Sequence, residues 1–192
     1  MNEDRVREIL SESGALLSGH FLLASGKHSD TYLQCAKVLQ YPNFAEEVSK
    51  ALAERVSDLK VDTVCGPALG GVVIGYELAR QLKAKAIFTE RKNGMMMLRR
   101  GFTIEPGERI IVAEDVVTTG GSIKEVIEIL TSLGAEVVAL TAIVDRGGGD
   151  SLGARFESLL QISPPTWEAN RCPLCEAGEA VIKPGGALRK GH

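Results

Sequence analysis

Two adjacent carboxylates, Glu114 and Asp115, follow four consecutive apolar residues, Ile110 to Ala113. Val116 and Val117 then lead into a small, hydroxyl-rich turn, Thr118-Thr119-Gly120-Gly121-Ser122. Carboxylates at the mouth of a buried strand are costly unless something binds them. A Thr/Gly/Ser turn that opens a helix offers backbone N–H groups and hydroxyls to an anion. Side by side, the two features describe a pocket for a phosphorylated sugar, with acids for ribose hydroxyls and a loop for the phosphate. Gly-Gly between a strand and a helix is common connection chemistry and weak evidence alone. Two successive carboxylates after four apolar residues are rarer, because burial penalises unpaired charge.

A second loop, Gly66-Pro67-Ala68-Leu69-Gly70-Gly71, has the same strand-to-helix character. By itself it reads as a plain turn. Beside the first motif, the amides exposed by Gly70 and Gly71 suit a second anion at a helix start. A third segment, Thr89 to Gly101, carries Arg91, Lys92, Arg99 and Arg100 and three consecutive methionines, Met95 to Met97. A charge cluster is usually a solvated face. Next to two anion loops it suits a cationic hairpin or mobile loop.

The elements that hold these loops follow from periodicity. Val6, Ile9 and Leu10 predict an amphipathic helix over residues 3–12. His20 to Ala24 and Thr31 to Cys35 read as two short strands joined by residues 25–30. Phe44, Val48, Leu52 and Val56 recur every fourth position, which predicts a helix from Pro42 to about Leu59. Strands are then expected at 61–65, 84–89, 109–116, 136–144 and 156–162, with helices ending near Leu82 and Leu133. Near-continuous apolar strands alternating with helices imply a parallel sheet covered on both faces. Ligands of such sheets bind at the carboxyl ends of the strands, where Gly66–Gly71, Thr118–Ser122 and Asp145–Gly149 all lie.

Composition narrows the class. The chain has 192 residues, 22 Lys plus Arg against 25 Asp plus Glu, and a net charge of −3. That balance argues against general nucleic-acid binding. The charged N-terminus lacks the apolar core of a signal peptide, and no apolar run approaches the ~18–20 residues of a membrane span, so a cytoplasmic protein is expected. Cys172-Pro-Leu-Cys175 is the one close cysteine pair, in a Pro/Gly-rich tail, and His20, His28 and His192 form no second paired motif. A local turn is the favoured reading; a shared or intersubunit metal site and a disulfide are the alternatives.

Across all thirteen positions, residues 110–122 resemble the 5-phosphoribosyl-1-pyrophosphate (PRPP) signature of type I phosphoribosyltransferases. Residues 20–35, Leu98-Arg-Arg-Gly-Phe102 and Cys172-Pro-Leu-Cys175 resemble the orotate branch of that family, so the likeness runs from about residue 8 to 186. The resemblance implies the type I phosphoribosyltransferase fold: α/β, a mostly parallel sheet flanked by helices, with a small hood. It implies a single domain over 1–192, core about 42–162, hood about 1–41 plus 163–192. It assigns the ribose hydroxyls to Glu114 and Asp115, and the 5-phosphate to the segment from Val116 and Val117 through Thr118, Thr119, Gly120, Gly121 and Ser122. Ala68, Leu69, Gly70 and Gly71 fall in the pyrophosphate loop, where the family often has a non-proline cis peptide, here expected near Ala68–Leu69. Arg91 and Lys92 match the start of the pyrophosphate-binding segment.

For the base, the resemblance implies that Thr118 and Arg146 contact the orotate carboxylate and that the backbone at Tyr32 and Leu33 covers the ring. A planar guanidinium grips a carboxylate with two hydrogen bonds; the plain alternative for Arg146 is a surface loop residue beside Asp145. Many orotate enzymes have a lysine where Ala24 stands and a longer Lys/His-rich mobile loop. Lys27, Lys92 and Arg91 are therefore the candidates for the catalytic cation. The implied reaction transfers phosphoribose from Mg²⁺–PRPP to N1 of orotate, through an oxocarbenium-like transition state with inversion. Magnesium is expected to be held mainly by PRPP and water rather than by protein, and the protein to be a homodimer.

Overall fold

The computed structural model describes residues 1–23 and 25–184. Ala24, the position of the missing lysine, and His192 lie outside the described residues. Helix α1 (Glu3–Glu12) leads into the hairpin β1 (Leu16–Leu22) and β2 (His28–Leu33), then the single-turn α2 (Ala36–Leu39) and α3 (Pro42–Arg55). There follow β3 (Thr63–Pro67), α4 (Gly70–Leu82), β4 (Lys85–Lys92), β5 (Met95–Leu98), β6 (Arg109–Val117), α5 (Gly121–Ser132), β7 (Glu136–Asp145) and β8 (Phe156–Gln161). The chain closes with β9 (Thr166–Trp167) and the single-turn α6 (Pro173–Glu176).

Six strands form the main sheet in the order β5-β4-β3-β6-β7-β8. All neighbours pair parallel except β4 with β5, which form an antiparallel edge hairpin. Residues 90–100, left between hairpin and mobile loop by the sequence, are thus a hairpin with Arg91 opposite Met96. The strand pleat divides β6 between two cores. Ile111 and Ala113 pack with α1, α3 and α4 on one face, and Ile110 and Val112 pack with α5 on the other. Both faces are covered, which is why these strands are apolar without alternation.

A second, three-stranded antiparallel sheet, β1-β2-β9, is the hood; the C-terminal segment adds its strand to the N-terminal hairpin. Here the expected strand bounds need correction. Both begin earlier than 20–24 and 31–35, because Leu16 and Leu17 already pair with Leu33 and Tyr32, and the turn closes with Leu23 N–H on the Lys27 carbonyl. Gly19 sits inside β1 at a shift in register between Ser18 and Phe21. Helix α3 also stops short of Leu59. Ser57 bonds the Glu54 carbonyl through both its N–H and its Oγ, so the chain leaves the helix in successive turns.

Candidate active site

Three loops meet at the carboxyl ends of β3, β6 and β7, and the glycines show how closely. A Cβ on Gly70 would lie 2.6–2.7 Å from the carboxylate atoms of Asp115, so only hydrogen lets the first loop reach the acid. A Cβ on Gly148 would lie 2.4 Å from the Thr118 carbonyl oxygen, so the third loop is pressed onto the turn after the acids. The Arg146 N–H donates to the Val117 carbonyl at 2.8 Å and locks the same junction.

Glu114 and Asp115 each spend one carboxylate oxygen locally. Glu114 Oε1 accepts from the Asp115 N–H at 3.1 Å, and Asp115 Oδ1 accepts from the Val116 N–H at 2.8 Å. Among the described residues no ion pair involves either acid. Burial raises the Glu114 pKa first, and the neighbouring Asp115 charge raises it further. Asp115 is raised as well, mainly by burial. Two half-buried carboxylates without a counter-charge are poor for stability and good for accepting hydrogen bonds from a ligand's hydroxyls. The Cys35 thiol is buried, and burial first, then the charges of Asp115 and Glu114, hold it well above its ordinary value, with Arg146 easing the shift.

The turn after the acids is a cradle. Glu114 and residues 116–123 line a cavity of about 70 Å³, room for a compact anion. Gly120, at φ 74°, precedes α5, and no side chain caps that helix. The same is true of α4, which starts at Gly70 behind the cis peptide Ala68–Leu69. Among the described residues the first-turn N–H groups of both helices have no side-chain partner, the arrangement that binds phosphate oxygens. The third loop is built by Asp145. Its buried Oδ1 accepts from the N–H groups of Gly147, Gly148 and Gly149 at 2.9, 3.0 and 3.2 Å. That role explains why an acid stands beside Arg146, whose Nε is buried without a hydrogen-bond partner among the described residues. Arg146 is therefore not a plain surface loop residue.

The other cations are placed less simply. Arg91 reaches from β4 to Glu125 in α5 in a two-pronged ion pair of 2.5 and 2.9 Å. It stands beside α5 with its guanidinium engaged. Lys92 is exposed at the hairpin end. Arg99 and Arg100 both pair with Glu90, at 2.9 and 2.8 Å. Lys27 pairs with Glu168 at 3.3 Å, on the hood and not on any of the three loops. Leu33 packs against the core, whereas the Tyr32 side chain lines a separate hollow on the hood with Phe21 and donates to Gln34.

The local-turn reading of Cys172 and Cys175 needs correction too. The turn exists, as α6, but His20 and His28 converge on it, each contributing one potential ligand atom within 4.8 Å of the others. Strand pairing explains the missed link: Leu22 faces His28, so His20, two residues before Leu22, shares a face with His28.

Residues 34–152 match the phosphoribosyl transferase domain model. The chain is 52% identical to an orotate phosphoribosyltransferase of Caldanaerobacter subterraneus subsp. tengcongensis, over 96% of this chain and 98% of that one. It is 54% identical to the orotate phosphoribosyltransferase of Caldicellulosiruptor saccharolyticus, over 96% and 97% respectively. Among solved structures, orotate phosphoribosyltransferase from Aeropyrum pernix matches with a TM-score of 0.72 and 29% identity, covering 82% of this chain and 93% of that chain.

Proposed function

The chain belongs to the orotate phosphoribosyltransferase family of phosphoribosyl transferases, and on that premise we propose how its residues divide the reaction. The enzyme transfers the 5-phosphoribosyl group of PRPP to orotate, giving orotidine 5-phosphate and pyrophosphate in pyrimidine biosynthesis. The N1–C1 bond forms as the bond from C1 to the pyrophosphate oxygen breaks. Pyrophosphate keeps that electron pair, and orotate gives up its N1 proton.

Glu114 and Asp115 accept hydrogen bonds from the ribose hydroxyls, and residues 116–122 hold the 5-phosphate at the start of α5. Ala68, Leu69, Gly70 and Gly71 present the start of α4 to the pyrophosphate. No protein nucleophile is required; positioning and stabilisation of the leaving charge supply the rate. Arg91 and Lys92 are the cations proposed to meet that charge, Arg91 by exchanging Glu125 for phosphate oxygens. Lys27, already paired on the hood, is the weaker candidate. Thr118 and Arg146 bind the orotate carboxylate, and the β2 backbone at Tyr32 and Leu33 covers the ring. The chain works as one domain: of the expected hood, 1–41 plus 163–192, the β1-β2-β9 sheet is the part taken to close over the core at 42–162, while α1 and α2 pack into that core.

Magnesium suits this donor set. Two carboxylates that lack a counter-charge favour a substrate that brings hard divalent charge with it, and Mg²⁺ would be held mainly by PRPP oxygens and water. When bound, it neutralises pyrophosphate as that group leaves. No helix among the described residues is long and apolar enough to cross a membrane, and we assign the enzyme to the cytoplasm. The homodimer rests on an apolar stripe on α4 and the loop before it: Leu69, Val73 and Tyr76 are 86%, 44% and 67% exposed.

The observation that carries the choice of base is Arg146, a guanidinium with a buried, unpartnered Nε in a site otherwise built for phosphate and hydroxyls. The test is loss of orotate absorbance with PRPP and Mg²⁺, alongside adenine and hypoxanthine. Turnover of a purine without turnover of orotate would overturn the reading.

A further inference from the structure

The described residues bring together a second group of chemically capable side chains, on the hood. His20 on β1 and His28 on β2 face Cys172 and Cys175, which bracket the first turn of α6. We propose that these four residues form a structural zinc site that pins the C-terminal segment to the N-terminal hairpin.

The distances carry the argument. His20 Nε2 lies 3.5 Å from Cys172 Sγ and 3.7 Å from Cys175 Sγ, and His28 Nδ1 lies 3.3 Å from Cys175 Sγ. In a tetrahedral zinc site with bonds of about 2.3 Å to sulfur and about 2.0 Å to nitrogen, the sulfur–nitrogen edge is about 3.5 Å. The three separations straddle that value. The His20 Nε2 to His28 Nδ1 distance is 2.7 Å, shorter than the nitrogen–nitrogen edge of about 3.3 Å for such bonds. A small ring rotation opens it.

The proton on His20 is placed by chemistry. Its Nδ1 sits 2.8 Å from the Glu179 carbonyl, which only accepts, so Nδ1 carries the hydrogen. Nε2 is left with its lone pair aimed at the other three ligand atoms. A backbone carbonyl orienting the non-ligating nitrogen is the usual support of a zinc histidine. Burial points the same way: His20, His28 and Cys172 are 2%, 7% and 1% exposed. Two imidazoles and a thiol buried against each other are otherwise an expensive way to fill a hood.

Two sulfurs and two nitrogens select zinc among common divalent ions, and four protein ligands leave no open position for catalysis. The structural need is visible in the hood itself. Among the described residues, strand pairing holds the C-terminal segment there through two residue pairs between β2 and β9 and one bridge between Phe21 and Ile182, helped by the Lys27–Glu168 ion pair and the Ser29 hydroxyl on the Pro165 carbonyl. A metal joining residue 20 to residue 175 adds folding free energy to a sheet with little core of its own.

The test uses the full-length, untagged enzyme purified under reducing conditions without chelator. Elemental analysis should find about one zinc per chain. Exchange for Co²⁺ should give the visible bands of a tetrahedral, thiolate-bound ion. Cys175→Ser, at the exposed ligand, and His28→Ala should each lower metal affinity roughly tenfold or more and change the cobalt spectrum. Both readouts are independent of turnover, and the wild-type measurements stand even if a variant fails to fold. Three results would each overturn the proposal. One is wild-type protein that retains neither zinc nor cobalt. Another is metal held unchanged by a folded Cys175→Ser, His28→Ala double variant. The third is an intact mass two hydrogens lighter, the mark of a Cys172–Cys175 disulfide.

Discussion

Glu114→Gln should make the protein more stable and less active, and the gain in stability should depend on pH in a stated direction. The carboxyl of Glu114 is pushed up from 4.5 to about 8 by burial and by Asp115. Below pH 4.5 the group is protonated in both the folded and the unfolded chain and contributes no difference. Above it, the unfolded chain releases the proton while the folded chain retains it, so wild-type stability falls as pH rises, until about pH 8. Each unit of that span is worth about 1.4 kcal/mol, which sets a ceiling near 5 kcal/mol. Asp115 keeps its own burial cost in the variant, and the new amide is buried as well, so about 2 kcal/mol is a fairer expectation. The amide oxygen can still accept the Asp115 N–H, which keeps the local geometry. For a chain of this size, that gain raises the melting temperature by roughly 4–8 °C at pH 8 and by almost nothing at pH 4. Turnover should drop roughly 10–100-fold for loss of one charge-assisted bond to ribose. Melting curves from pH 4 to 9, beside orotate assays with varied PRPP, read both effects. A stability difference that is flat with pH, or a wild type more stable at pH 8, would refute the idea that these acids are held at a cost until PRPP arrives.

Arg146→Ala should raise the orotate KM roughly tenfold or more and leave the PRPP KM nearly unchanged, since a bidentate carboxylate contact is worth about 1.5–3 kcal/mol; equal effects on both substrates would remove it from the base site. Gly70→Ala puts a methyl 2.6–2.7 Å from the Asp115 carboxylate, so PRPP affinity should fall far more than thermal stability, and unchanged PRPP kinetics would contradict the loop contact. Asp145→Ala strips the shared acceptor from three N–H groups and should cost about 1–3 kcal/mol in denaturant titrations, with the orotate KM rising as the Arg146 loop loosens. Arg91→Ala should leave the melting temperature almost unchanged, because its pair with Glu125 is exposed, while lowering kcat. Full turnover in that variant would return the leaving-group role to Lys92.

Local runs of sequence carried much of this protein's identity. Residues 110–122 hold strand, acids, turn and helix start within thirteen positions, so no distant contact is needed to read them. The same holds in part for Gly66–Gly71: Gly66 is demanded within the connection itself, pressed on the Gly71 carbonyl, whereas Gly70 is demanded by Asp115 across the sheet. Parallel strands read as apolar because both faces are covered, and that too is a local signal. Strand ends in the hood were shifted because pairing partners, not propensity, decide where a ladder starts.

What the residues do to one another across the fold was decided only in three dimensions. Arg91 could be named as a cation from sequence, but its engagement with Glu125, 34 positions away, comes from packing β4 and β5 beside α5. Asp145 was legible only as the neighbour of Arg146 until the loop folded back and gave it three N–H groups to collect. His20 and Cys172 are 152 positions apart, and no periodicity links them. They meet because β1 pairs with β2, β2 pairs with β9, and the chain then turns back over the hairpin. A linear pattern can specify which faces are apolar and which loops bind anions. The meeting of side chains from opposite ends of the chain is set by sheet topology and by the closure of long loops, whose entropy only the finished core repays.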